Sequence, residues 1–144
     1  MATYTKYESG IENIANKIID AFGNTDTWKA AIVTDAPVVA TDTILGDHTQ
    51  ISGNNGYTTG GASITYNSTR TGGTITATAT DVTWTASGGN LGSSTTGRYV
   101  PIYDDTPGSP VDPLVCYYDY ASTFTVADTE TFMLDFGASF YTMS

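Results

Sequence analysis

Four aspartates are the side chains in this sequence best suited to acid–base chemistry. Asp104 and Asp105 begin a stretch rich in proline and glycine, Asp112 lies near its end, and Asp119 lies between two tyrosines. Glycoside hydrolases need two such carboxyl groups at one sugar bond. Aspartates in a proline- and glycine-rich stretch are, however, typical of solvated turns, which their own hydrogen bonds stabilise. We therefore assign none of the four to catalysis, and Asp119, in a strand, is the most interesting alternative.

Cys116 and His48 are the other pair with chemical potential. A thiolate activated by imidazole is a nucleophile, but Cys116 lies in an apolar and aromatic run, where cysteine usually acts as a small buried hydrophobic residue. One cysteine and one histidine cannot supply a zinc site, and no Asp-x-Asp-x-Asp-Gly loop indicates calcium. The sequence thus predicts no catalytic, cofactor-binding or metal-binding residues.

The stretch Asn54–Gly61 (NNGYTTGG) is rich in glycine but lacks the pattern of a phosphate-binding loop. It has no closing Gly-Lys-Ser/Thr, and no helix is predicted after it to point its N-terminus at a phosphate. Glycine tolerates a positive φ and the close approach of another backbone segment. We interpret Gly56, Gly60 and Gly61 as candidates for a structural turn or an interface, with Tyr57 as the aromatic anchor.

Aromatic residues provide a second set of binding candidates. The chain has two tryptophans and ten tyrosines, and aromatic faces can stack on sugars. An exposed platform that includes Tyr57, Tyr117 and Tyr118 would bind glycans. At strand spacing, aromatic side chains more often form the core or a subunit interface, so Trp84, Tyr117 and Tyr118 are candidate interface residues.

Charge and composition limit the classes of partner. The 144 residues include 15 acidic and 5 basic ones, for a formal net charge of -10. Nucleic-acid binding needs a basic surface that releases counterions, so we predict no direct contact with nucleic acid. No apolar run approaches the about 18 residues that cross a bilayer, and the first residues do not resemble a signal peptide. The single cysteine cannot form an intrachain disulfide, which fits synthesis in a cytoplasm.

One amphipathic helix is predicted near the N-terminus. Apolar residues recur with helical spacing over residues 11–22, as expected for a helix with one apolar face. Ser9 and Glu12 have the spacing of a capping box, and Gly23 provides a stop. We predict a helix from about Tyr7 to Phe22 that covers the β-rich remainder.

The remainder of the chain predicts strands and turns. The predicted strands are 27–34, 62–67, 74–86, 98–103, 114–120, 129–136 and 140–143. Near Asp81 the apolar side chains change face, which indicates a bulge or a strand that passes between sheets. Pro101 favours an edge or irregular position, and Ser87–Gly97 is a polar loop that we expect to be mobile.

Strands without intervening crossover helices indicate antiparallel pairing. We predict a mainly β fold, an antiparallel β-sandwich or jelly-roll-like domain with one N-terminal amphipathic helix. Residues 1–144 are expected to form a single domain, with the helix at about 7–22 and the β body at about 27–143.

Several segments, taken in order, resemble small structural proteins of tailed bacteriophages. They are TWKAAIVTDAPVVATDTILGDHTQI, NNGYTTGG, DVTWTASGGNLG, RYVPIYDDT, PLVCYYDY and TFTVADTETFMLDF. Members are similar in a Gly-Tyr-Thr-x-Gly-Gly turn after an Asp-Thr-x-Leu segment and in a tryptophan or phenylalanine strand before Thr-Ala-Ser-Gly-Gly. A Tyr-Asp-Asp-Thr turn and an aromatic-Asp-aromatic strand follow. The resemblance extends over roughly Tyr7 to Phe136.

The resemblance implies a non-enzymatic virion protein, most of all a capsid decoration or cement protein that bridges and stabilises major capsid protein subunits. It implies no catalytic residue and no cofactor. We expect such a protein at the particle surface after synthesis in the bacterial host cytoplasm, as a homo-oligomer, with a trimer favoured, and without a membrane partner. Two alternatives stay open: a fibre or tail module that binds host glycans, and a carboxylate-dependent glycan hydrolase.

Overall fold

A computed structural model of the protein describes residues 2–93 and 97–144. Ten strands, one α-helix and one short 3-10 helix lie in these residues. In chain order they are β1 (Thr3–Lys6), α1 (Glu8–Ala15), β2 (Trp28–Ala30), the 3-10 helix (Leu45–Asp47), β3 (Ala62–Ile64), β4 (Tyr66–Thr71), β5 (Thr74–Ala79), β6 (Val82–Thr85), β7 (Gly97–Asp104), β8 (Leu114–Phe124), β9 (Thr131–Leu134) and β10 (Tyr141–Met143).

The strands form three antiparallel sheets. The largest has the order β1-β8-β7-β2-β3, the second has the order β10-β5-β4, and the third pairs β6 with β9. Buried side chains of all three sheets, such as Trp28, Ala77 and Leu134, belong to one hydrophobic cluster. The predicted class is confirmed: the fold is mainly β, antiparallel and sandwich-like, with one helix near the N-terminus.

The helix is shorter than predicted. It ends at Ala15 instead of Phe22, because Lys17 has a left-handed φ of 59°. Beyond this turn the chain leaves the helical path, and Ile19 and Ala21 are buried in the core. Residues 18–22 therefore pack their apolar side chains in the core without helical structure. Their apolar spacing in the sequence does not distinguish this irregular packing from one face of a helix.

The predicted capping box does not form. Tyr7 is the N-cap and makes no side-chain cap, while the Ser9 hydroxyl donates to the carbonyl of Asp42 at 3.4 Å. Tyr7 instead donates its N–H to the carbonyl of Val115 at 3.1 Å. The start of α1 is thus fixed by the adjacent sheet and not by its own side chains.

Two predicted strands are interrupted. The run 27–34 provides only β2, after which Val33 forms single bridges to Gln50 and Tyr99. The run 62–67 divides into β3 and β4, which belong to different sheets. The first strand, β1, was not predicted because its partner β8 is near the other end of the chain.

The change of face near Asp81 is confirmed as a passage between sheets. β5 pairs with β4 and β10, whereas β6 pairs with β9. Asp81 lies between them, and its Oδ1 accepts a hydrogen bond from the N–H of Phe136 at 3.0 Å. One continuous β-prone run can therefore contribute to two sheets.

Pro101 does not lie in an edge strand, the first of the two predicted positions, but its strand is irregular, since the register with β8 shifts between Gly97 and Tyr99 and between Ile102 and Tyr103. Its strand, β7, lies between β8 and β2. The Pro101 carbonyl accepts a hydrogen bond from the N–H of Ala31, one residue past the end of β2. The N–H that proline lacks would therefore lie where the β2–β7 ladder has already ended. The predicted loop Ser87–Gly97 includes residues 94–96, which lie outside the described residues, and Gly97 already belongs to β7.

Candidate functional site

The glycine-rich turn is built by close backbone approach. Gly56 and Gly61 have φ values of 96° and 76°, in the region that favours glycine. A Cβ atom on Gly56 would lie 2.0 Å from the carbonyl oxygen of Thr85, and one on Gly61 would lie 1.8 Å from that of Ala30. Backbone geometry accounts for both glycines without a ligand.

Tyr57 anchors this turn in the core. It is 3% exposed, accepts a hydrogen bond from the N–H of Ile32 at 3.0 Å and donates to Oε1 of Gln50 at 3.0 Å. Gln50 also accepts from the N–H of Gly60 at 2.8 Å. Burial raises the pKa of Tyr57 to about 12. These partners belong to the β body and not to α1, so the hydrogen bonds of Tyr57 connect separate segments of the β body.

The other three aromatic candidates, Trp84, Tyr117 and Tyr118, do not share one exposed surface. Trp84 is buried and stacks on Phe132, with 5.9 Å between ring centres. Tyr118 is also buried, whereas Tyr117, its neighbour on the opposite face of β8, is half-buried. Because Tyr57 and Tyr118 are in the core, the exposed glycan platform of Tyr57, Tyr117 and Tyr118, which the sequence left as an alternative, does not form.

Asp104 is not in a solvated turn, which corrects the sequence interpretation. It is the last residue of β7 and is fully buried. Burial, followed by the contact with the carboxyl group of Asp26, raises the pKa of Asp104 to about 7. The sequence does not reveal this pair, since its two acids come from distant segments.

The other three predicted carboxylates have different surroundings. Asp105 pairs with Lys29 at 2.8 Å, and burial, with Asp105 nearby, raises the pKa of Asp112. Asp119 accepts two hydrogen bonds from Arg98, at 2.8 and 3.1 Å. The Arg98 hydrogen bonds hold the pKa of Asp119 below its usual range. Asp119 is therefore an ion-pair residue that stays ionised at neutral pH.

Cys116 is a core residue on β8, the strand next to the edge strand β1 in the largest sheet. It is fully buried on β8 between β1 and β7, and burial raises the pKa of its thiol to about 12. A thiol in this state is a poor nucleophile. Its polar neighbour is Tyr4, so the structure does not form the Cys116–His48 pair.

His48 instead belongs to a hydrogen-bonded chain that the sequence did not reveal. Its Nδ1 lies 2.7 Å from Oδ2 of Asp35, and its Nε2 lies 2.8 Å from the hydroxyl of Tyr7. Asp, His and a hydroxyl in this order are also the order of a nucleophilic triad. Here the His48 side chain and Tyr7 are fully buried, so no substrate reaches the hydroxyl. The chain joins the start of α1 to residues 35–48.

A groove of about 600 Å³ lies at one flank of the sandwich. It lies where β1, the edge of the five-stranded sheet, faces β10, the edge of the three-stranded sheet. Met133 on β9, which is 52% exposed, contributes to its wall. The groove is lined by Ala2, Tyr4, Lys6, Tyr118, Tyr120, Met133, Asp135, Phe136, Gly137, Ser139, Phe140, Tyr141 and Thr142.

Lys6 spans the groove from one sheet edge to the other. Its ammonium donates to the carbonyl of Thr142 at 2.9 Å and lies 4.2 Å from the ring centre of Tyr141. Thr5 and Tyr7 face Tyr117 and Val115 of β8, and the N–H of Tyr7 bonds there. In an antiparallel ladder the hydrogen-bonding residues alternate. The backbone groups of Tyr4 and Lys6 therefore point away from β8, along an open edge.

The groove lining also includes an acidic residue. Asp135 is exposed, and burial, then Asp135 and Asp81, raise the pKa of Tyr120 to about 12. The groove thus combines aromatic walls, an open strand edge and the exposed carboxylate of Asp135. An extended polypeptide with apolar side chains fits this combination better than a reacting small molecule does.

Within residues 2–93 and 97–144, no group of three or more His, Cys, Asp or Glu side chains is arranged to hold a metal ion. No helix in the same residues has both the length and the apolar character needed to span a bilayer. A comparison with known proteins matched no family model, no curated protein and no solved structure.

Proposed function

We propose that this protein is a non-enzymatic structural protein of a tailed-bacteriophage virion, a capsid decoration protein that bridges major capsid protein subunits. The proposal includes a homotrimer at the particle surface and synthesis in the bacterial host cytoplasm. The resemblance of the ordered segments supports the class of protein. The observation that carries a binding role is the groove between β1 and β10.

The groove has the properties of a site for strand addition. Main-chain groups of Tyr4 and Lys6 face outward beside a wall of aromatic rings, and an added strand would use both the hydrogen bonds and the wall. The protein has a formal net charge of -10, and Asp135 lies at the groove. These charges favour an extended capsid segment with apolar and basic side chains over a second copy of this acidic chain.

The groups with chemical potential support binding over catalysis as the role. Cys116 and the hydroxyl of Tyr7 are buried, and Asp119 is held by Arg98. The accessible surface instead presents an apolar groove. Many copies on a capsid lattice would make even weak groove contacts sufficient, because simultaneous contacts multiply.

A capsid-binding measurement with two matched variants tests the proposal. Met133→Asp places a charge at the groove, whereas Val111→Asp places one at an equally exposed apolar residue, 58% exposed, in a loop that does not line the groove. We expect Val111→Asp to bind purified capsids at the wild-type stoichiometry and Met133→Asp to lose binding, with both folded by circular dichroism.

Absence of the wild-type protein from purified heads would refute the decoration role. Equal binding of the two variants would place the capsid contact on another face. Binding to host-surface glycans on an array, without binding to heads, would instead support a fibre or tail module.

A further inference from the structure

The carboxyl group of Asp104 lies in surroundings that do not suit an anion. Its Oδ1 accepts a hydrogen bond from the N–H of Thr106 at 2.9 Å. Its Oδ2 is buried and has no hydrogen-bond donor among the described residues. The indole N–H of Trp28, opposite Asp104 in the β2–β7 ladder, is also buried and unpartnered. A bare carboxylate oxygen at such a position is strongly disfavoured.

The polar neighbour of this oxygen is a second acid. The carboxyl group of Asp26 is close enough to the Asp104 carboxyl to interact with it, and its Oδ2 accepts from the N–H of Asp20 at 2.7 Å. Two carboxylates cannot donate to each other, whereas a carboxylic acid can donate to a carboxylate. The contact therefore holds together when the pair has one proton.

The surrounding charges do not replace that proton. Lys29, the cation on the neighbouring strand, pairs with Asp105, and no ion pair to Asp26 or Asp104 forms within the described residues. The titratable groups that face the pair or its hydrogen-bond partners are Asp20, Lys29, Tyr66, Tyr103, Asp105 and Asp112. Apart from Lys29, each of these groups is neutral or negatively charged, so none of them can replace the shared proton.

The acid pair lies in the contact between two segments. Thr27 accepts a hydrogen bond from the N–H of Asp105 at 2.8 Å and donates its own N–H to the hydroxyl of Thr106 at 2.7 Å. Asp26 thus approaches Asp104 where residues 20–27 meet the end of β7. Separation of the two acids would require these neighbouring hydrogen bonds to loosen.

We propose that Asp26 and Asp104 share one proton and act as a pH-dependent latch that holds residues 20–27 against the end of β7. When the proton is released to solvent, two anions are left in contact and residues 20–27 loosen from the sheet. The latch is closed in mildly acidic solution and weakened in alkaline solution.

The direction of the pH dependence follows from the two states of Asp104. Its pKa is raised from 3.8 to about 7 in the closed protein, so the closed state binds a proton that the opened state has lost. Closure is therefore most favoured near pH 4 and is weakened as the pH rises to about 7, by up to tenfold for each pH unit. Above that range the dependence disappears.

Hydrogen exchange at the amides of Thr27 and Asp105 tests the latch. After correction for intrinsic exchange, we expect their protection in the wild type to fall between pH 5 and 7.5. Asp104→Asn can donate to Asp26 without titrating, so its protection should not depend on pH. Asp128→Asn, which alters an exposed acid that accepts a hydrogen bond from the N–H of Gly88, should keep the wild-type slope.

Two outcomes would overturn the latch: a wild-type protection that does not change with pH, or an Asp104→Asn variant that keeps the wild-type slope. If Asp104→Asn does not fold, Asp26→Asn provides the same test from the other side of the pair. A carboxyl-carbon NMR titration of the wild type gives a direct reading. A midpoint for Asp104 near 7 supports the shared proton, and a midpoint near 4 refutes it.

Discussion

The backbone at Gly61 leaves no room for a side chain. Its φ is 76°, and an added Cβ would lie 1.8 Å from the carbonyl oxygen of Ala30. Gly72, in the β4–β5 turn, has a similar φ of 60° with open space around it. The two positions therefore share the same conformational strain and differ in the steric clash.

We expect Gly61→Ala to lower the free energy of unfolding by about 3 kcal/mol or more, and Gly72→Ala by about 1–2 kcal/mol, the cost of a left-handed alanine. Urea unfolding of both variants measures the difference. Equal losses would show that Ala30 moves aside and that the turn is softer than its geometry indicates.

The candidate residues in the glycine-rich turn could be predicted from the sequence, because glycine itself indicates a positive φ or a close approach of another backbone segment. The surroundings of His48 and Asp104 could not. Asp35 and Tyr7 approach His48, and Asp26 approaches Asp104, only after distant segments have packed together. Residue type indicated where chemistry was possible, whereas burial decided what each group does.

At the scale of elements, the side chain of Lys6 protects the open edges of β1 and β10. Lys6 covers the outward carbonyl of Thr142, and edge lysines discourage strand pairing between molecules. Lys6→Ser should expose this edge and increase concentration-dependent association. Lys17→Ser changes the net charge equally at an exposed residue after α1 and serves as the control.

Light scattering over a concentration series distinguishes these variants. We expect the average mass of Lys6→Ser to rise above that of the wild type at concentrations where Lys17→Ser does not change. A rise in both variants would assign the effect to charge, and a rise in neither would show that the edge is closed by other groups.

Element type was predictable where the pattern is local, and element ends were not. The alternation of apolar and polar side chains shifts near Asp81, and this shift indicates directly where the chain passes from β5 to β6. The end of α1 depends on the left-handed Lys17 and on the burial of Ile19, which are tertiary effects. β1 is short and takes its stability from β8, so its own four residues contain little signal.

At the scale of the whole molecule, the single cysteine reports on global unfolding. Cys116 is fully buried on β8, between β1 and β7 of the five-stranded sheet. A thiol reagent should reach it only when this sheet separates, so we expect labelling about a thousandfold or more slower than that of a free thiol. Labelling in increasing urea measures this dependence. Fast reaction without urea would show that the edge strand β1 opens by itself.

The pairing of β1 with β8 also has a consequence for the order of events during synthesis. Thr3–Lys6 are made before the whole segment that separates them from their partners Cys116–Asp119. The nascent chain therefore carries β1 as an unpaired strand until β8 has been made, and the five-stranded sheet cannot close before then. Distant pairings of this kind slow folding, so a chaperone that shields Thr3–Lys6 during this interval would increase the yield of folded protein.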